Sequence, residues 1–187
     1  MRDPGTVYLK NSCEQFRHIK QRAEAAIEQL NEEEFHWVPN EQSNSVSVLL
    51  QHISGNMHSR WVDFLTADGE KDYRDRDAEF INQFCSKKEL MERWESGWSL
   101  LFQTLEGLSP GLLLQEVTIR KERLTIMEAI QRELAHLHNH LGQILYIGKQ
   151  LKGSEWKTLS IPKGQSRSFI PAAIKNKAGE EQSDSTS

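Results

Sequence analysis

Glu133-Leu-Ala-His136-Leu-His138-Asn-His140-Leu-Gly-Gln143 is the stretch on which the fold turns. Read as a strand, its alternation sets all three histidines on one face. Read as a helix, steps of ~100° leave His136 and His140 only ~40° apart and send His138 ~160° away from both. The flanking apolar positions decide between the two. Ile126, Ile130, Leu134, Leu137, Leu141, Leu145 and Gly148 keep helical period throughout. The expected helix runs from Thr125 to Leu151, with Gly153 as its stop. His136 and His140 then stand one turn apart at the edge of the apolar stripe, where a side chain reaches a crevice between helices.

Three further helical patterns precede it. The first covers Val7 to Leu30, with Leu9, Phe16, Ile19, Ala23, Ala26, Ile27 and Leu30 on one face. The loop Glu34 to Asn44 follows, broken by Pro39, with Trp37 expected to fold back over the core. The second helix runs from the N-cap Ser45 to Leu65, with a stripe of Leu49, Ile53, Met57, Arg60 and Phe64. The third begins at the capping box Ser86-Lys-Lys-Glu89 and stops at Gly107. It carries Leu90, Trp94, Trp98, Leu101, Phe102 and Leu105; its tryptophans and Trp61 suit a core, or else an interface. No long strand is evident, although Gln115 to Arg120 reads as a short extended piece. These patterns predict an all-α, four-helix bundle.

The link between the second and third helices is long for a bundle and permits a crossover. Its charged run, Arg74-Asp-Arg-Asp77-Ala-Glu79-Phe80, reads either as a solvated, self-paired cluster or as a functional loop. One domain is expected over residues 1–175. The polar, Glu/Ser-rich tail at 176–187 is expected to be disordered.

The chain has 187 residues, enough for one substantial core, and a net charge of −4 without a basic patch. Nucleic acid is therefore not an expected partner. No segment approaches the ~20 apolar residues that span a bilayer, and Met1-Arg-Asp-Pro-Gly lacks a signal-peptide core. Cys13 and Cys85 form neither a CxxC nor a disulfide framework, so a reduced, cytoplasmic setting is the expectation.

Two histidines do not complete a metal site, since a catalytic zinc takes three protein ligands and leaves one position open. The best third candidate is His52 in Leu49-Leu-Gln-His52-Ile-Ser-Gly-Asn56-Met, at the edge of the second helix's stripe. Two such edges facing across a bundle would unite His52, His136 and His140. An i,i+4 histidine pair also arises by chance in helices that hold no metal, and His138 is expected at the surface. The metalloprotease motif HExxH is absent. Glu133-x-x-His136 matches half of a di-iron motif, but the other Glu-x-x-His, at Glu33 to His36, falls at the frayed end of the first helix. Asn56, Arg60, Glu133 and Gln143 are candidates for supporting or substrate contacts. No catalytic residue is assigned.

These motifs resemble those of the DinB-like superfamily, metal-dependent hydrolases related to bacillithiol and mycothiol S-transferases. The resemblance rests on Leu-Leu-Gln-His52-Ile-Ser-Gly-Asn-Met, on His136-Leu-His-Asn-His140-Leu-Gly-Gln143 and on the loop Trp37-Val-Pro39. Asn56-Met-His-Ser-Arg60-Trp61, the Arg74 to Phe80 run and Leu159-Ser-Ile-Pro162-Lys-Gly-Gln-Ser166 resemble a bacterial subfamily of that group. The likeness extends from Val7 to Phe169. It implies a divalent metal, zinc or nickel, on His52, His136 and His140. It also implies a small-molecule substrate such as a low-molecular-weight thiol, and a homodimer outside the membrane. It suggests that Gly142 allows close helix packing. In many relatives a basic residue stands at the position of Leu141, which here suits burial. The implied activity is thiol S-transfer or hydrolysis; the alternative is a non-enzymatic, dimeric metal- or ligand-binding helical bundle.

Overall fold

Helix α1 spans Pro4–Ile27 and is started by Asp3, whose carboxylate accepts from the Thr6 amide, with Pro4 in the first turn. The computed structural model describes residues 3–81 and 85–168. Contacts divide the chain into one unit that ends at Trp156 and a second that begins at Lys157. The described residues 157–168 form turns, among them one over Pro162 to Gln165 in which Gly164 takes a φ of 81°. Phe169 and the tail at 176–187 lie outside the described residues.

Helix α1 ends a turn earlier than its apolar period suggests. Asn31 opens a second, short helix, α2 (Glu32–His36), through a capping box with Glu34. The start of the expected loop is therefore helical, and Glu33 and His36 belong to α2 rather than to a frayed end of α1. Phe35, fully buried, plugs the core where Trp37 was expected; Trp37 is only half-buried.

Helix α3 (Val46–Trp61) starts at Ser45 as expected but ends before Leu65, where Asp63 takes a φ of 50°. It is buried on almost every side, including the polar residues Ser47, His52, Ser54, Asn56, Ser59 and Arg60. Helix α4 (Lys87–Glu106) carries the predicted Ser86–Glu89 capping box. α3 packs chiefly on α4 and α1 chiefly on α5 (Ile126–Lys152), while α3 also meets α5. At the α3–α4 contact, a Cβ on Gly97 would lie 3.1 Å from the Met57 sulfur, so glycine permits the approach. Trp61, Trp94 and Trp98 are core residues, and Trp98 meets Phe16 edge-on and stacks with Phe102.

Two strands that the helical reading did not foresee as a pair lie between α4 and α5. β1 (Glu116–Ile119) is the extended piece seen in the sequence, and β2 (Glu122–Thr125) pairs with it antiparallel. The turn residues Arg120 and Lys121 have φ of 55° and 64°, a hairpin geometry that usually selects Asn or Gly. Asp68 holds it, its carboxylate accepting from both turn amides at 2.8 Å. The described chain is thus mostly helical, with five α-helices and one small sheet. No described helix is long and apolar enough to cross a membrane.

The link after α3 folds back onto that helix. A 3-10 turn at Ala78–Phe80 packs on α3, and the Gln51 amide donates to the carbonyls of Ala78 and Glu79 at 2.9 and 3.0 Å.

Trp98→Ala should lower unfolding free energy by ~3–5 kcal/mol, the usual cost of removing a buried aromatic ring. Urea denaturation followed by circular dichroism measures it; a loss below about 1 kcal/mol would contradict Trp98 as a core residue.

Candidate metal centre

His52 projects from the middle of α3, and His136 and His140 from consecutive turns of α5. Their ligand atoms lie within 4.8 Å of one another. The Nε2 of His136 is 3.1 Å from that of His52 and 3.0 Å from that of His140. His52 and His140 are buried and His136 is half-buried. A group so arranged can hold a metal ion. The remaining histidines are elsewhere. His138 is exposed and donates from Nδ1 to the Leu134 carbonyl. His58 turns towards α4, with Nε2 3.0 Å from the Ser96 hydroxyl. Among the described residues the group consists of imidazoles alone, without the glutamates of a di-iron centre.

Ligation needs a free lone pair on each ring, and the surroundings of the triad supply it. Burial first, then the neighbouring His136 and His52, push the pKa of His140 down to about 4; Gln143 opposes this only in part. His140 is therefore neutral at pH 7. Its buried Nδ1 makes no hydrogen bond of acceptable geometry, so Gln143 is beside the ring without holding that atom. His52 is fixed more firmly. Its Nδ1 lies 2.9 Å from Glu79 Oε2, and donation there leaves Nε2 as the acceptor facing the other rings.

Glu79 is itself clamped. Arg74 donates to it from Nε at 2.8 Å and from Nη2 at 2.9 Å, a two-pronged contact. Burial by itself would raise the pKa of Glu79, but the bonds from Arg74 and then His52 outweigh it and hold the carboxyl below its ordinary range. Phe80 covers the other side of His52, its ring centroid 4.6 Å away. The charged run is split: Asp75, Arg76 and Asp77 are exposed, while Glu79 is buried and paired with Arg74 of the same run.

Glu133 serves His136 less tightly. This carboxylate is 2% exposed and lies 3.5 Å from His136 Nδ1, the outer limit of a hydrogen bond. With its amide nitrogen turned to Glu133, Asn56 donates to both carboxylate oxygens at 3.2 Å; the opposite orientation would set acceptor against acceptor. Arg60 is 3.8 Å from the same carboxylate. His52, Asn56, Arg60, Glu133 and His136 all line a cavity of about 180 Å³. Two roomier hollows do not include the triad: one of about 380 Å³ is lined by Gly55, Arg74 and Glu79, and one of about 550 Å³ by Gly142, Gln143 and Tyr146.

Three of the four supporting candidates thus gather beside the triad, while Gln143 approaches His140 alone. Gly142 is exposed with open space around it, so it does not mediate close helix packing. Leu145 is half-buried and Ile144 fully so, because the buried stripe drifts round α5. Sequence patterning did not single out Glu79 or its clamp Arg74. The only signal for them was a charged run in an overlong link.

The model of a family described as protein of unknown function, DUF1572, matches residues 3–165. The chain belongs to the DUF1572 family. DUF1572 is a DinB-like family, in agreement with the motifs around His52 and His136 to Gln143. No curated protein and no solved structure matches the chain.

A Cβ on Gly55 would collide with the Glu79 carboxylate. Gly55→Ala should displace Glu79 from His52 and weaken binding of added zinc by about 10–100-fold, the usual effect of losing a group that orients a ligand. Calorimetric titration with zinc, alongside a melting curve showing a folded protein, provides the check; unchanged affinity would refute the role given to Glu79.

Proposed function

We propose that His52, His136 and His140 hold one divalent metal ion in a four-helix, DinB-like bundle, and that the protein is a metal-dependent enzyme of thiol S-transfer or hydrolysis. The observation that carries this reading is the convergence of three Nε2 atoms, two of them on rings whose Nδ1 faces a buried carboxylate. Structural histidines buried without such partners would not need Glu79 and Glu133 behind them. Three imidazoles suit zinc first and nickel as the alternative.

When bound, such an ion supplies Lewis acidity, lowering the pKa of a water or thiol at its open position. The chain's own residues do the rest. Glu79 and Arg74 fix the tautomer and tilt of His52. Glu133 lies on the Nδ1 side of His136 and is the one carboxylate lining the cavity, where it is suited to receive a proton from a bound substrate. Asn56 holds that carboxylate in place. Phe80 shields His52 from solvent. The cavity beside the triad suits a small-molecule ligand or substrate. Kinship with DinB-like proteins supports a low-molecular-weight thiol and a homodimer, and the unpaired Cys13 and Cys85 suit a reducing compartment such as the cytoplasm.

Elemental analysis of gently purified protein should find one zinc or nickel per chain. His136→Ala should bring this close to zero, since two imidazoles alone bind far more weakly. Full occupancy in His136→Ala would overturn the ligand set. A loaded protein inert towards a panel of thiols and thiol conjugates would instead favour the binding module.

A second check concerns the clamp. Arg74→Gln leaves Glu79 and His52 in place but removes the two-pronged contact, and should weaken zinc affinity by about tenfold. A calorimetric affinity equal to that of the unaltered protein would show that Arg74 matters only to folding.

A further inference from the structure

Four arginines from four different segments meet at the cavity beside the triad. Arg60 comes from α3, Arg76 from the link, Arg120 from the hairpin turn and Arg132 from α5. In a chain of net charge −4 this is a local concentration, set against Glu133, the one carboxylate of the lining. Asn56 already holds Glu133.

The arginines are not spent on one another's neighbours to the same degree. Arg120 donates to Glu70 at 3.0 Å and Arg132 to Glu122 at 2.8 Å, each through one nitrogen and both with partly exposed side chains. Among the described residues Arg76 makes no ion pair. Arg60 is only 9% exposed, and its contact with Glu133 at 3.8 Å is too long for a hydrogen bond. Its Nη1 is buried with no partner at all. An unsatisfied buried donor is costly, and a guanidinium does not escape the cost by losing its proton. Burial lowers the pKa of Arg60 and Glu133 opposes that; Arg132, Arg74 and Arg120 then act in the same direction as burial, as expected of crowded cations. The backbone adds a second sign. Arg120 is held at a positive φ that a branched-free glycine would adopt more easily, and Asp68 is employed to keep it there. That turn brings Arg120 to the cavity wall.

We propose that this cavity binds an oxyanion group, a carboxylate or phosphate, of the small-molecule substrate, with Arg60 as the most deeply buried of its four arginines. This deepens the function proposed above and rests on it for one point, that the substrate's reacting end faces His52 and His136. A volume of about 180 Å³ admits a group of several heavy atoms and excludes a polymer. The planar fork of arginine matches both oxyanions, so the chemistry shared by the two is what the site selects.

The test is calorimetric titration of the full chain, freed of metal on a chelating resin, with succinate, with inorganic phosphate and with uncharged succinamide. At least one anion should bind at millimolar concentration or below, and which one binds names the group. Succinamide should not bind. Arg60→Gln should weaken the anion by at least about tenfold, the worth of a charge-assisted hydrogen bond. The more exposed triple variant Arg76→Gln, Arg120→Gln, Arg132→Gln should weaken it further, and it carries the test if Arg60→Gln does not fold. Binding of succinamide as tight as that of succinate, no binding of either anion, or affinity unchanged in the triple variant each overturns the proposal. Metal content is read separately. Protein that takes up no metal yet binds an anion through these arginines would refute the metal centre and keep the pocket; the reverse result would do the opposite.

Discussion

The site depends on one buried carboxylate. Glu79 accepts two bonds from Arg74 and faces His52 Nδ1, so three ionisable side chains share one small volume next to α3. Burying such a group is favourable only when every charge has a partner of good geometry, because desolvation otherwise exceeds the attraction. Here the geometry is met by a glycine. Gly55 leaves the space on α3 that the carboxylate occupies. The arrangement contributes less to stability than to orientation: it ties the link after α3 to the helix and sets which nitrogen of His52 faces α5.

Helix α3 is the spine on which this rests. It lies against α4 on one side and meets α5 on another, so almost none of its surface is free. A helix buried all round would ordinarily be apolar. This one keeps His52, Asn56 and Arg60 at successive turns; His52 meets His136 and His140 on α5, while Asn56 and Arg60 lie beside Glu133, nearer the start of α5. The two helices thus form an antiparallel ladder of polar groups within an apolar core. Imidazole meets imidazole at one end; at the other the Asn56 amide bonds the Glu133 carboxylate, and the Arg60 guanidinium stands 3.8 Å from it. Buried polar groups are tolerated in such networks because each satisfies its neighbour. The free Nη1 of Arg60 and free Nδ1 of His140 are where the network stays open.

The parts outside the long helices do much of the remaining work. The link brings Glu79, Phe80 and Arg76 to the site, and the hairpin brings Arg120. Asp68 joins these two irregular segments by capping the hairpin turn from the link. The helical frame positions the imidazoles together with Arg60, Arg132 and Glu133, and the connecting segments add Arg74, Arg76, Glu79 and Arg120. This division is common where a rigid scaffold carries a site whose surroundings vary.

Local chemistry was enough to read the four long helices. Ser45, the Ser86–Glu89 box and Thr125 are caps whose hydrogen bonds involve residues three apart, so they are visible in the chain itself. Helical period put His136 and His140 together and sent His138 outward, because a 3.6-residue turn is a local rule. His52 could be named as the third ligand because it shares the stripe edge of its helix. The break after Ile27 was misplaced because Leu30 keeps the apolar period of α1 and is buried, although the chain there has already turned out of the helix. The second strand was missed because Glu122 to Thr125 is too short and polar to alternate clearly. Arg60 falls on the stripe of its helix, but Glu79, Arg74, Arg76, Arg120 and Arg132 were not singled out by any period. Their meaning comes from segments up to 84 residues apart being brought into contact, as His52 and His136 are. Only packing decides which charges in a charged run are buried and which face water, since desolvation depends on the neighbours that tertiary structure places round each group.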